Sequence, residues 1–218
     1  MKRTERHHLK EDEVAEGVNW LVDFYGKYRR EIFFVAGAIV LAALVFAALL
    51  GLRAHSRNVR SAAIGQVGSL AAQAAADPAK MAELEKLAAK GRTSRLANLE
   101  LARLGAERGD WTKAESCLAR IPSSPKDLLY YQAEDLKGQV AVGRKDFDKA
   151  IAIYKKTVDE KPRDYPLDAA LFRLAETHEL KGDVAAAIDL YKKLQTDYPQ
   201  SYFGYEASLK AAKLATRR

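Results

Sequence analysis

Cysteine is almost missing from this chain: Cys117 is the only one in 218 residues. No internal disulfide or multi-cysteine zinc site can form, and one thiol does not choose a compartment. Proline and glycine are sparse, at six and 13 residues, and runs of Val, Ile and Thr are nearly absent. Ala, Leu, Lys, Glu and Arg dominate, which is the composition of an all-α chain. Aromatic residues are missing from residues 53–95, where eight basic side chains stand against three acidic ones and most of the net charge of +7 collects. A surface for single-stranded nucleic acid interleaves its cations with stacking rings, so this stretch speaks against nucleic-acid binding. Its first arginines, Arg53, Arg57 and Arg60, suit anionic lipid headgroups.

Convergent acid, base and nucleophile groups are missing too, which speaks against an enzyme. Cys117, between Ser116 and Leu118, reads as a small packing residue. His178 reads as a packing histidine on a helix face. Asp159 and Glu160 read as a solvated helix end before Lys161 and Pro162. His7 and His8 are adjacent, so on a helix they diverge and make a poor metal pair. The expectation is no catalytic residue, no cofactor and no metal.

Charge of either sign is absent from residues 32–52, "IFFVAGAIVLAALVFAALLGL". As a helix this run is about 31 Å long, against a bilayer core of about 30 Å. Thirteen of its residues are Leu, Ile, Val or Phe, which favours insertion by roughly 4–8 kcal/mol. The run exceeds a signal-peptide core, and "RAHSRNVR" follows it instead of a small-residue cleavage site. No cysteine stands beside it to carry lipid. It is therefore expected to be a retained transmembrane helix, which divides the chain into a tail (1–31), a span (32–52) and a domain (53–218).

The basic residues near the two ends of the span tie: Lys27, Arg29 and Arg30 against Arg53, Arg57 and Arg60. Charge near the span gives no orientation, although seven basic residues over the whole tail lean towards a cytoplasmic N-terminus. In the tail, Val14, Val18, Leu21, Tyr25 and Tyr28 fall at helical spacing beside Trp20 and Phe24, like an interfacial aromatic belt or a short packing helix. Within the span, Ala43, Ala47 and Gly51 recur every four residues. That is a candidate stripe for close approach of another helix, in a chain where alanine is common everywhere.

Past the span the sequence repeats itself. "RKDFDKAIAIYKKTVDEKPRD" and "KGDVAAAIDLYKKLQTDYPQS" share one pattern, and a third copy precedes them. Asp110, Asp146 and Asp183 open helices, with Ala114, Ala150 and Ala187 four residues later, 36 and 37 positions apart. Leu118, Tyr154 and Tyr191 follow, then Pro125, Pro162 and Pro199. Upstream stand Ala102, Gly138 and Ala175. Small residues at two facing places let the helices of a hairpin approach, and the bulky ones fill the gap to the next. A period near 34 with proline-ended hairpins is the tetratricopeptide (TPR) signature.

The pattern resembles the TPR over about residues 93–218, with departures. The aromatic expected early in each first helix is replaced by Asn98, Glu134 and Leu171. The middle repeat's apolar residues, Ala133, Leu136 and Val140, lie one place early, which calls for a rotated helix or a longer turn. Before the repeats, Asp77 and Pro78 start a helix that Gly91 ends, and "SAAIGQVGSLAAQAAA" is expected to continue the span and form the first half of a hairpin. The final helix, "SYFGYEASLKAAKLATRR", is expected to be polar on one face as a solenoid cap.

The whole layout resembles the YfgM-like ancillary subunits of the bacterial Sec translocon. The resemblance rests on the aromatic tail, on "RLANLELARLGAERGDWTKAESCL" and on "EDLKGQVAVGRKDFDKA". It implies a single-pass inner-membrane protein with a cytoplasmic N-terminus and a periplasmic TPR-like domain. Its implied partners are translocon subunits, a periplasmic chaperone, exported polypeptides and membrane lipid. "AAIDLYKKLQTDYPQSYFGYEA" also resembles TPR proteins of outer-membrane assembly and envelope maintenance, so a scaffold of another envelope complex stays open. So does a cytoplasm-facing adaptor. The repeat's groove positions, carried onto this chain, are Leu96, Leu99 and Arg103, then Gln132, Asp135 and Gln139, then Phe172, Glu176 and Glu179. Solvated helix surface is the plain alternative for all nine.

Overall fold

The computed structural model describes residues 3–216, without side-chain detail for residues 3–19, 21, 23, 32, 36 and 54–60. Among the described residues every regular element is an α-helix. They are α1 (Arg3–Ala74), α2 (Pro78–Ala89), α3 (Ser94–Glu107), α4 (Trp111–Ala119), α5 (Leu128–Gly143), α6 (Phe147–Glu160), α7 (Leu167–Lys181), α8 (Val184–Asp197) and α9 (Tyr202–Ala215). The chain divides into two compact units, residues 1–61 and 62–218.

In the first unit, α1 departs from helical geometry at Tyr28 (φ −110°, ψ 17°). Trp20, Phe24 and Tyr28 form a ladder of rings, with centroids 5.3 and 4.9 Å apart. Val14, Val18, Leu21, His7 and His8 lie outside the described side chains. Phe33–Arg53 is long and apolar enough to cross a membrane, and none of it is buried within the chain.

The second unit is a run of helical hairpins. Val67, Leu70, Ala71 and Ala74 form one buried stripe of α1, and share a core with Leu84, Ala97, Leu101, Leu118 and Val140. This is the half-hairpin expected from the sequence. Arg108 donates to the carbonyls of Ala74 and Ala75 at 3.3 and 2.8 Å, a cation placed on a helix C-terminus. Asp77 caps α2 by accepting from the Ala79 amide. The helix closes on Lys90, one place before the expected cap Gly91, which follows at φ 108°. A second core runs from Ala141 through Tyr154, Phe172, Tyr191 and Leu194 to Leu214.

The three hairpins turn in the same way. The amides of Asp110, Asp146 and Asp183 bond the carbonyls of Gly105, Ala141 and His178 at 2.8, 2.9 and 2.9 Å. The residue before each aspartate is left-handed: Gly109 at φ 72°, Lys145 at 62° and Gly182 at 94°. Such a turn satisfies the last carbonyls of the first helix while the aspartate starts the second. Asp110 and Asp146 accept from the amides of Lys113 and Lys149. Asp183 makes no such cap and lies 3.4 Å from His178 and 3.5 Å from Lys181 instead.

Ala102, Ala175, Ala114, Ala150 and Ala187 are fully buried, as the small-residue positions require, and Leu118, Tyr154 and Tyr191 are buried beside them. Gly138 is buried with them, under the Tyr154 ring. The middle repeat needs neither a longer turn nor a wholesale rotation, which corrects that expectation. Its turn matches the other two, and Ala133, Gly138, Val140 and Ala141 keep their places. Only a local exchange differs: Leu136 is buried where its neighbours in the pattern are Glu100 and Arg173, while Lys137 reaches back to Glu134 at 2.6 Å.

The first hairpin ends early. α4 stops at Ala119, six residues short of Pro125, because Pro122 disfavours helical geometry at Ile121. Glu160 is no free helix end: it accepts from Lys126 and from the Tyr131 hydroxyl, at 2.8 and 3.0 Å.

Candidate functional site

The face built by the first helices of the hairpins holds a recess of about 460 Å³. α3 contributes Arg103, Ala106 and Glu107, α4 Trp111, α5 Gln132, Asp135, Leu136 and Gln139, and α7 Arg173. Three hairpins thus meet at one place, which is what stacking supplies and a single hairpin cannot.

Asp135 is the centre of the recess. Its carboxylate is mostly buried and accepts from Gln139 Nε2 at 2.8 Å. Arg173 Nε lies 2.8 Å from its other oxygen, a charge contact without hydrogen-bond alignment. The Tyr165 hydroxyl stands close enough to favour its charged form. Burial nevertheless pushes the Asp135 carboxyl above the ordinary aspartate value, against the pull of Arg173, Gln139, Tyr165 and Arg103. Burial likewise raises the Tyr154 and Tyr165 hydroxyls, so both stay neutral hydrogen-bonding groups. Arg103 is held by Glu100 at 2.9 Å through one nitrogen. Gln132 adds an amide that can donate and accept. The rim is therefore mixed in charge and rich in paired donors and acceptors, a lining that suits the polar backbone and side chains of a polypeptide.

The nine expected groove residues separate into three groups. Arg103, Gln132, Asp135 and Gln139 line the recess together. Leu99 and Phe172, at 1 % and 9 % exposed, belong to the core, Phe172 against the rings of Tyr191 and Phe203, and Leu96 is half-buried against the first cluster. Glu176 and Glu179 meet Lys210 of α9 at 3.6 and 3.1 Å, and Glu179 also accepts from the Tyr191 hydroxyl. Sequence reasoning missed Ala106, Glu107, Trp111, Leu136 and Arg173. Arg173 follows Phe172 directly, and a charge beside a core position was the available signal. In the other unit, Ala43, Ala47 and Gly51 are all exposed, with open space around Gly51.

Cys117 is buried and packs in the first core. His178 is half-buried beside Asp183.

A tetratricopeptide repeat family model matches residues 169–201, the third hairpin. The solenoid is TPR-like. Its all-helical, hairpin-stacked packing agrees with that match, and no curated protein matches the chain. A TPR-like domain is a protein–protein interaction module, and such repeats are characteristically not catalysts.

Proposed function

We propose that the chain is a membrane-anchored TPR-like subunit that binds protein partners during protein export, as an accessory of the Sec translocon working with a periplasmic chaperone. The observation that carries this reading is the union, in one chain, of an apolar helix of spanning length and a TPR-like solenoid with a polar recess. The sequence resemblance to YfgM-like subunits supports it further. In this reading the span lies in the inner membrane among lipid tails, the tail is cytoplasmic and the domain beyond residue 53 is periplasmic. Ala43, Ala47 and Gly51 let a translocon helix approach closely. The recess receives a chaperone segment or an exported polypeptide, with Arg103 and Arg173 as donors and Asp135 as acceptor.

Affinity purification of the full chain in mild detergent tests the partner, with translocon subunits expected among the retained proteins. Ala47→Leu is expected to weaken that retention without impairing insertion, while Val45→Leu changes little. Alkaline phosphatase fused after Arg218 is expected to be active in a bacterial host. Silent phosphatase together with an active cytoplasmic reporter overturns the exported reading in favour of a cytoplasm-facing adaptor.

A further inference from the structure

The terminal helix α9 carries apolar residues on two opposite sides. Gly204, Ala207, Ala211 and Leu214 are buried against the second core. On the other side Tyr202, Tyr205 and Leu209 are 71, 61 and 51 % exposed, and exposed Ala212 continues the line. This corrects the expectation of a polar cap. Glu206 and Lys210 are half-buried along one flank of α9, and Lys213 stands exposed at the edge of the stripe. Lys210 is taken up by Glu176 and Glu179. Among the described residues Glu206 and Lys213 have no ion pair. They stand seven residues apart and so share one edge of the exposed stripe. The opposite edge holds Ser201 and Ser208, without charge.

We propose that this stripe is the contact between two copies of the chain, α9 packed antiparallel on α9 about a two-fold axis. In an antiparallel pair like edge meets like edge, so Glu206 of each copy faces Lys213 of the other, twice by symmetry. A parallel pair sets the charged edge against the uncharged one and leaves all four charges unmatched. The antiparallel register also brings Leu209 onto Leu209 at the axis. It places the Tyr205 ring over the small Ala212, large against small. An interface of this size, four side chains on one helix, falls below the ~800 Å² per partner of a standard contact. It is therefore weak, and membranes or concentrated samples reveal it better than dilute ones.

Cysteine cross-linking of the full chain in membranes tests this. Cys117 is buried, so the parent chain is the background. Leu209→Cys is expected to give a disulfide-linked dimer of the chain on oxidation, and Lys155→Cys, exposed on α6, is expected to stay monomeric. Adding Glu206→Lys or Lys213→Glu alone to Leu209→Cys is expected to lower the dimer about fivefold, from losing both pairs and setting like charges together. Co-expressing those two charge variants restores both pairs, and their mixed dimer is expected to return. Three results overturn the proposal: Leu209→Cys dimerising no more than Lys155→Cys, a cross-link to another protein instead of to itself, or charge variants that do not recover on mixing.

Discussion

Where the first and third hairpins bury Leu99 and Phe172, the middle hairpin carries Asp135, and where they bury Leu101 and Leu174 it carries Lys137. The two buried tyrosines of the second helices differ to match. Tyr154 lies across Gly138, and its hydroxyl reaches the Asp135 carbonyl at 3.4 Å; Tyr191 turns the other way, to the Glu179 carboxylate at 2.8 Å. The same turn and the same small-residue places thus support two kinds of hairpin. The third is built for packing and is the one the family model matches. The middle one exchanges apolar packing for a buried polar centre, and the recess forms around that centre.

The largest effects are expected at the tyrosines. Tyr191→Ala and Tyr154→Ala are each expected to cost about 3–5 kcal/mol, since both leave a large cavity in the second core. Equal losses in denaturant titration mean that the two rings contribute alike as filling, whatever their hydroxyls bond. Gly138→Ala separates them. A Cβ there meets the Tyr154 ring, so a loss of about 1–3 kcal/mol is expected. Replacing Tyr154 by Leu, the residue that fills this place in the first hairpin, is expected to recover part of it. A harmless Gly138→Ala means that Tyr154 can adopt the Tyr191 orientation at no cost.

Much of this was legible beforehand. Asp110, Asp146 and Asp183, the small residues and the proline ends were read as hairpins because local propensity and spacing agree at those places. Groove positions were less legible, because a helix rotated by one residue exchanges core and surface. Leu99 and Phe172 were transferred from a general pattern that takes no account of which side each helix buries. The local exchange of Leu136 and Lys137 shows in the sequence as an early apolar residue, but its cause is tertiary. The outward face of α9 was misread for a similar reason: Glu206 and Lys210 lie to one side of it, Tyr202, Tyr205 and Leu209 share it with Lys213, and composition alone does not say which side faces out.

The turns offer a smaller test. Lys145 sits left-handed where Gly109 and Gly182 carry no Cβ penalty. Lys145→Gly is expected to stabilise the domain by about 0.5–1 kcal/mol, read as a higher melting temperature. No gain means that the lysine side chain compensates through contacts of its own.

The pH response is smaller again, and its sign distinguishes two carboxylates. Burial holds Asp135 above the ordinary aspartate value, so its contribution to stability is complete below pH about 4 and is lost as the pH rises through the raised value. Asp127 is the reverse. Arg95 grips it through two bonds of 2.8 Å and holds its carboxyl low, so its contribution is present above pH about 4 and is lost as the pH falls through the lowered value. Asp135→Asn is therefore expected to stabilise relative to the parent at pH 7, and less so as melts approach pH 4. A gain that does not change with pH contradicts a raised carboxyl at the centre of the recess.

The central claim is that the middle hairpin's polar recess is where this TPR-like domain meets another protein. Site-specific photo-cross-linking in intact membranes tests it most directly, with a photoreactive residue placed at Gln132 in the recess or at Lys155 on the exposed side of α6. A discrete adduct with a protein partner is expected from Gln132, lost when Arg103 and Arg173 are both changed to Glu, and none from Lys155. An adduct from Lys155 alone, or one from Gln132 that survives the double charge reversal unchanged, contradicts it.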